Sequence, residues 1–338
     1  MNWLILFLFA FSLASFFSFL ISRKFAKKNK KFFRIGGTAI ILSFLIVFLL
    51  NSKIVLTADW KALLLGSCLI FIFGLWDDFK GLDWKIQLFF QILLALILIW
   101  FGYEIKIISF AENELLRLDC WNLTFWDNSF SFLSSIFIIF WLVGIINAVN
   151  WLDGSDGLLS TAGALSLIAV FFTSLRPEVN QPALSIISLI GVGSLLGFLI
   201  FNFPKAQIEA GTSGSYFVGF LLGSLAIVAG TKITTTMVVL ILPVTDFVWV
   251  IFERIKAGQS IFKRDKKKRH LHYKLLAKGF SPRKIFFIYA IFLTIALLMS
   301  FFVANQIQKI FLLGIEFLMI ILFMTKISSD LKNIKKDV

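Results

Sequence analysis

Apolar stretches of about 15 to 20 residues recur eleven times along the chain, centred on 3–21, 37–51, 60–76, 86–101, 131–150, 157–174, 184–201, 214–230, 233–252, 285–303 and 308–325. That length carries an α-helix across a hydrocarbon layer. In lipid a helix is also the form in which one segment satisfies all of its own N–H and C=O groups. With 42 Phe and a mean hydropathy of +0.91, the apolar surface exceeds what a soluble core of 338 residues can hide. The expectation is an all-α integral membrane protein with about 11 transmembrane helices. No soluble module, low-complexity tract or clear internal repeat interrupts the pattern, so residues 1–338 read as a single polytopic domain. The first stretch lacks a basic leading region and a small-residue cleavage site, and counts as a permanent span.

Charge sets the expected orientation. With the N-terminus outside, the inner segments 22–36, 77–85, 147–157, 202–215, 253–284 and the tail from 326 hold 26 of the 33 Lys and Arg, and the other side holds 7. This asymmetry follows the positive-inside rule and puts the C-terminus in the cytoplasm. The net charge of +14 therefore reports membrane topology rather than a nucleic-acid partner, because the basic runs flank spans. Cys68, in a span, and Cys120, in an outer loop, give neither a disulfide framework nor a metal pattern. The sequon Asn122-Leu123-Thr124 is a triplet common by chance. The outer segment 102–130, with YEIKIISF and WNLTFW, suits a small interfacial hairpin whose Trp and Phe lie at headgroup depth.

Polar residues with chemistry gather on the inner side. FGLWDDFKGLDWK (73–85) places Asp77 and Asp78 side by side where the third span meets water. Adjacent carboxylates hold a divalent cation, or one serves as base while the other binds metal. In NAVNWLDGSDGL (147–158) Asn147, Asn150, Asp153 and Asp156 recur every three residues, which on a helix turns them roughly the same way. Gly154 and Gly157 allow a ligand close to the backbone. That pattern suits Mg²⁺ and a phosphorylated ligand. GTSGS (211–215), opening the eighth span with Gly211, Thr212, Gly214 and Ser215, is expected to offer free N–H groups to phosphate at a helix N-terminus. The only two histidines, His270 and His272, stand in a basic loop suited to an anion such as diphosphate. The acids elsewhere, Glu104, Glu112, Glu114, Asp119, Asp127 and Glu178 on the outer side, show no such grouping. Together the inner groups describe metal-assisted phosphoryl transfer at a membrane, with a lipid phosphate and a soluble nucleotide conjugate as substrates.

GLWDDFKGLDWK, NAVNWLDGSDGL, the glycine loop before a span and RHLHYKLLAKG resemble, in this order and spacing, the polyprenyl-phosphate N-acetylhexosamine-1-phosphate transferases. RIGG (34–37) is similar to that family's first inner-loop motif, so the resemblance spans about 34–284. It implies an enzyme of the bacterial cytoplasmic membrane, active on its cytoplasmic face, that moves a sugar 1-phosphate from a UDP-sugar to undecaprenyl phosphate and releases UMP with Mg²⁺, or alternatively Mn²⁺. It implies Asp77 as base or lipid-phosphate residue, Asp78 assisting and near the metal, and Lys85 on phosphate. Asn150 would lie at the metal and diphosphate with Asp153 beside it and Asp156 at the uracil, and His270 and His272 would bind the diphosphate. Asn147 joins the substrate-binding group. HLHY is nearer the form of the branch using UDP-GlcNAc than that of the muramoyl-pentapeptide branch. Membrane lipids are partners, and a homodimer is one assembly open to such a protein.

Two positions depart from the family. Tyr273 stands where a third histidine is usual, and Thr212 stands where the glycine loop usually carries an Asp on Mg²⁺. A hydroxyl is a poorer ligand than a carboxylate for a hard cation. Glu209, three residues upstream, is a candidate replacement oxygen. The rival readings are a homologue that binds both substrates with impaired catalysis, and a secondary transporter, for which Asp246 and Glu316 would be the intramembrane acids.

Overall fold

The computed structural model describes residues 3–24, 34–109, 115–125, 128–177, 179–229, 233–261, 269–303 and 306–334. Twelve helices appear among them: α1 (Trp3–Lys24), α2 (Gly37–Leu50), α3 (Ala58–Lys80), α4 (Trp84–Trp100), α5 (Phe132–Asn150), α6 (Leu158–Ser174), α7 (Pro182–Asn202), α8 (Gly211–Val228), α9 (Ile233–Lys256), α10 (Leu271–Ala277), α11 (Pro282–Phe302) and α12 (Gln306–Ile334). Eight are long and apolar enough to cross a membrane, and α2, α4 and α6 are shorter apolar helices. These eleven coincide with the eleven apolar stretches of the sequence, and α10 is the one helix outside them. The protein is thus an all-α integral membrane protein. Most of its buried apolar side chains form one connected core running from Leu6 to Ile327, with Ala169, Val239 and Leu297 in a small second cluster.

Where one hairpin is expected over 102–130, the described residues make two short antiparallel strand pairs. Strand β1 (Ile107–Ser109) pairs with β2 (Leu115–Arg117), and β3 (Asn122–Phe125) with β4 (Asn128–Ser131). Trp121 and Leu123 are exposed there. The basic stretch 263–268 and the outer acids Glu112, Glu114, Asp127 and Glu178 lie outside the described residues.

Helix α8 is the centre of the bundle. It is buried along its whole length and packs on α2, α3, α5 and α6. Lipid gives no hydrophobic drive to press one apolar helix onto another, so such packing depends on small residues that admit close contact. The sequence supplies them in α8 as Gly211, Gly214, Gly219 and Gly223 with Ser213, Ser215 and Ser224. The tightest approach is at α2, where a Cβ on Gly37 would stand 2.1 Å from the backbone nitrogen of Gly214. By contrast, α1 and α12 at the periphery expose rows of Leu, Ile and Phe, as helices in contact with lipid do.

Gly37→Ala forces α2 away from α8 and is expected to lower the melting temperature in detergent by several degrees, an overpacking cost of about 1–3 kcal/mol. Gly144→Ala in α5, where an added Cβ meets nothing within 4 Å, is the matched control. It is expected to melt at or slightly above the parent, because Ala outranks Gly in a helix.

Candidate active site

The last turn of α3 brings Asp77 and Asp78, both buried, against the start of α8. The end of α5 brings Asn150, and the single 3₁₀ turn that follows, Trp151–Gly154, brings Asp153. The first N–H groups of a helix have no partner within it and carry partial positive charge. Here carboxylates from two other elements take them. Asp78 accepts from Thr212 N–H at 2.7 Å, Ser213 N–H at 3.1 Å and Ser213 Oγ–H at 2.8 Å. Asp153 accepts from Gly211 N–H at 2.9 Å and Ala210 N–H at 3.3 Å. Gly211 has a φ of +70° and sits so close that a Cβ would lie 2.6 Å from Asp78 Oδ1. No other residue type fits this turn.

The expectation of free N–H groups for phosphate in GTSGS is therefore corrected. The amides of 210–213 are already paired, because buried carboxylates need donors and these are the ones within reach. Side chains complete the same cluster. Thr212 Oγ–H donates to Asp77 Oδ2 at 2.5 Å, and Ser215 Oγ–H donates to Asn150 Oδ1 at 2.6 Å. Gly214 serves helix packing on Gly37 rather than facing the carboxylates. RIGG finds its role here too: Gly36 and Gly37 donate their N–H groups to the carbonyls of Glu209 and Ala210 at 2.9 and 2.8 Å. Arg34 lies 3.9 Å from Glu209. Burial raises the Glu209 carboxyl above its usual range and Arg34 opposes that shift, so Glu209 is paired with Arg34 on the rim.

The three-residue spacing of Asn147, Asn150, Asp153 and Asp156 does not trace one helical face. Helix α5 stops at Asn150, the chain turns at 151–154, Ser155 is extended and Gly157 is left-handed. Each side chain therefore reaches a different partner. Asn147 points deeper into the bundle and donates to Gln91 Oε1 at 2.7 Å. Asp156 accepts from the backbone N–H groups of Lys205 and Ala206 at 3.1 and 3.2 Å. Asn202, absent from the sequence reading, joins these segments by accepting from Gly157 N–H at 3.0 Å and donating to Ile208 C=O at 2.9 Å. Lys85 is exposed, with its Nζ 5.8 Å from the ring centroid of Trp84.

The histidines pack onto the turn that carries Asp153. The His270 ring centroid lies 4.3 Å from that of Trp151, and a Cβ on Gly154 would stand 2.9 Å from His272 Nε2. Asp246 of α9 holds them in place: its Oδ2 is 2.9 Å from His270 Nδ1 and its Oδ1 accepts from Leu271 N–H at 2.8 Å. The intramembrane acid that suited a transporter thus belongs to this cluster. Burial pushes His272 down to about 4, with Asp246 opposing, so near neutral pH it is an uncharged donor or acceptor rather than a cation. Its Nε2 is buried and has no hydrogen-bond partner among the described residues. Downstream, Lys274 binds Glu253 and Ser328 at 2.7 and 3.0 Å, and Lys278 binds Asp330, so α10 is moored to α9 and α12. Tyr273 packs its ring 4.1 Å from that of His272. Sequence reasoning also missed Gln87 and Gln91 of α4. The signal was available: two glutamines four residues apart in a helix that is apolar from Ile86 onward apart from them.

Residues 60–230 match the model of a family described as glycosyl transferase family 4. The chain is 30% identical over 258 residues to a probable undecaprenyl-phosphate N-acetylglucosaminyl 1-phosphate transferase of Bacillus subtilis, covering 74% of this chain and 67% of that one. It is 29% identical over 282 residues to a decaprenyl-phosphate N-acetylglucosaminephosphotransferase of Mycobacterium leprae, covering 75% and 68%. A phospho-N-acetylmuramoyl-pentapeptide-transferase of Bacillus licheniformis is 28% identical over 258 residues, covering 71% and 74%.

The neutral state of His272 gives a pH signature. Between its ordinary value of 6.5 and about 4 the unfolded chain takes up a proton that the folded chain refuses, so stability falls as pH is lowered through that window. The loss attributable to this residue is at most about 3 kcal/mol. Melting curves of the parent between pH 7 and 4 are expected to steepen their decline below 6.5. His272→Phe is expected to flatten that part of the decline.

Proposed function

The chain belongs to glycosyl transferase family 4, and from that premise we propose that it moves a sugar 1-phosphate, GlcNAc 1-phosphate, from a UDP-sugar to undecaprenyl phosphate, releasing UMP. The observation that carries the reading is the convergence of Asp77, Asp78, Asn150, Asp153 and Thr212 on the N-terminus of α8, with the histidine pair packed on the same turn. The UDP-GlcNAc branch is favoured by the HLHY form and by the names of the first relatives. The basic asymmetry of the loops supports a cytoplasmic orientation for this end of the bundle in a bacterial inner membrane. The whole chain acts as one polytopic unit, and homodimerisation is left to a direct measurement of mass.

In the reaction an oxygen of the lipid phosphate attacks the sugar-bearing phosphorus of the UDP-sugar, and the bond from that phosphorus to the UMP oxygen breaks. A phosphate monoester loses its second proton near pH 6, so the nucleophile is largely ionised at neutral pH. Asp77 takes the remaining proton or orients the lipid phosphate, and Asp78 fixes the start of α8. Asp156 sits by the 203–206 loop, where the uracil would be read. His270 and His272 lie where the diphosphate would end, with His272 as a neutral hydrogen-bonding group.

The residues present fit Mg²⁺. None of the ion pairs among the described residues involves Asp77, Asp78 or Asp153, and no group of three His, Cys, Asp or Glu side chains among them forms a cage. Mg²⁺ suits such a set, since it is commonly held by one or two carboxylates together with substrate phosphates and water. Asp153, whose oxygens each accept one N–H, and Asn150 have more free acceptor capacity than Asp78, whose two oxygens accept three hydrogen bonds. When bound, the ion neutralises charge on the diphosphate.

Purified protein in liposomes containing undecaprenyl phosphate is expected to release UMP from UDP-GlcNAc and to form a lipid-linked product. EDTA is expected to stop release, and Mg²⁺ or Mn²⁺ to restore it. UDP-MurNAc-pentapeptide is expected to be turned over at least tenfold more slowly, and equal rates would refute the branch assignment.

Thr212→Asp sets a carboxylate against Asp77, whose Oδ2 is 2.5 Å from the native hydroxyl. Like charges at that spacing call for a cation. The variant is expected to melt lower than the parent without metal, to gain more from added Mg²⁺, and to need several-fold less Mg²⁺ for half-maximal rate. Rate and melting temperature measured against Mg²⁺ concentration check it.

A further inference from the structure

We propose that Tyr216 and Gln87 form a one-directional hydrogen-bond chain that positions Asp77, an inference that rests on the phosphotransfer reading above. The chain is built from α8, α4 and α3 in turn. Tyr216 Oη–H donates to Gln87 Oε1 at 3.3 Å, and Gln87 Nε2 donates to Asp77 Oδ1 at 2.9 Å.

The direction of the chain follows from its last member. An ionised carboxylate only accepts, so Gln87 must turn its NH₂ toward Asp77 and its oxygen toward Tyr216. Tyr216 then gives its single proton to Gln87. Reversing the Gln87 amide would set its oxygen against the carboxylate and its NH₂ against the tyrosine proton.

Burial makes that constraint costly to break. Tyr216 is 1% exposed, at membrane depth where an unpaired polar group costs several kcal/mol. A polar pair placed there needs a reason, and packing alone would be met by leucine and phenylalanine. Leu82 N–H, at 2.8 Å, and Thr212 Oγ–H hold the rest of the Asp77 carboxylate. Gln87 therefore supplies the side-chain donor on Oδ1 that fixes the carboxylate's rotation. The side-chain hydrogen bonds of Gln87 and Tyr216 go to Asp77, to the Leu82 carbonyl and to each other, and none goes to the α8 amides that Asp78 and Asp153 hold. They are positioning residues, acting through Asp77.

The test compares Tyr216→Phe, Gln87→Leu and the double variant with the parent protein in undecaprenyl-phosphate liposomes, following UMP release from UDP-GlcNAc. Tyr216→Phe removes one oxygen and keeps the ring. Each single variant is expected to lower kcat roughly tenfold or more, as loss of orientation at a reacting group does. KM for UDP-GlcNAc is expected to stay within twofold. Because the links act in series, the double variant is expected to be no slower than the slower single one. Should Gln87→Leu fail to accumulate, Gln87→Met takes its place in the comparison. A kcat within twofold of the parent in the single variants, or losses that multiply in the double variant, overturns the proposal while leaving the reaction intact. No UMP release by the parent overturns the reaction and the positioning role with it.

Discussion

The pairing of Asp78 and Asp153 with the first amides of α8 is the contact on which the rest of the site depends. A helix beginning inside a membrane protein has several N–H groups to satisfy, and a carboxylate buried nearby has lone pairs to satisfy. Each problem is the other's solution. By joining them, the fold brings α3, the turn after α5 and α8 to one point, and Thr212 and Ser215 then reach Asp77 and Asn150 without further rearrangement. The backbone donors of Gly36 and Gly37 fasten the same loop from its other side. Negative charge is thereby gathered at the positive end of α8, where it is tolerated and where a divalent cation bringing a diphosphate would find carboxylate and amide oxygens already oriented.

Helix content and helix positions were legible in the sequence because apolar length translates directly into spans. The eleven stretches became eleven apolar helices with ends displaced by a few residues. The motif residues were legible as a set, since Asp77, Asp78, Asn150, Asp153 and Thr212 do meet. What spacing alone could not convey was their partnership. Asn147 through Asp156 suggested one helical face, but a 3₁₀ turn and a left-handed Gly157 send the four side chains to four places. The glycine loop suggested open amides, and a residue 134 positions away in sequence fills two of them. Long-range donors and acceptors leave no periodicity to read. For the same reason Asn202 looked like an ordinary member of its helix, Asp246 read only as an intramembrane acid, and the Gln87 and Gln91 pair, though visible in the sequence of its helix, gave no hint of its partners.

The histidine segment illustrates how packing alters the chemistry a motif implies. Two histidines in a basic loop read as cations awaiting phosphate. In place, His272 is buried and neutral, His270 is held by Asp246, and both press on the turn bearing Asp153. Lys274 and Lys278 spend their charge mooring α10 to α9 and α12. Their basicity thus builds the site's walls.

Hydrogen–deuterium exchange of the amides at 210–213 tests the central pairing most directly, with Asp78→Asn compared to the parent protein. A single Asn oxygen cannot replace a carboxylate that accepts from Thr212 N–H, Ser213 N–H and Ser213 Oγ–H, and an unsatisfied buried amide costs about 1–3 kcal/mol. The account predicts that Thr212 and Ser213 exchange at least tenfold faster while the second half of α8 keeps its protection, with UMP release lost in the same variant. Unchanged protection at both amides, whatever happens to activity, would contradict it.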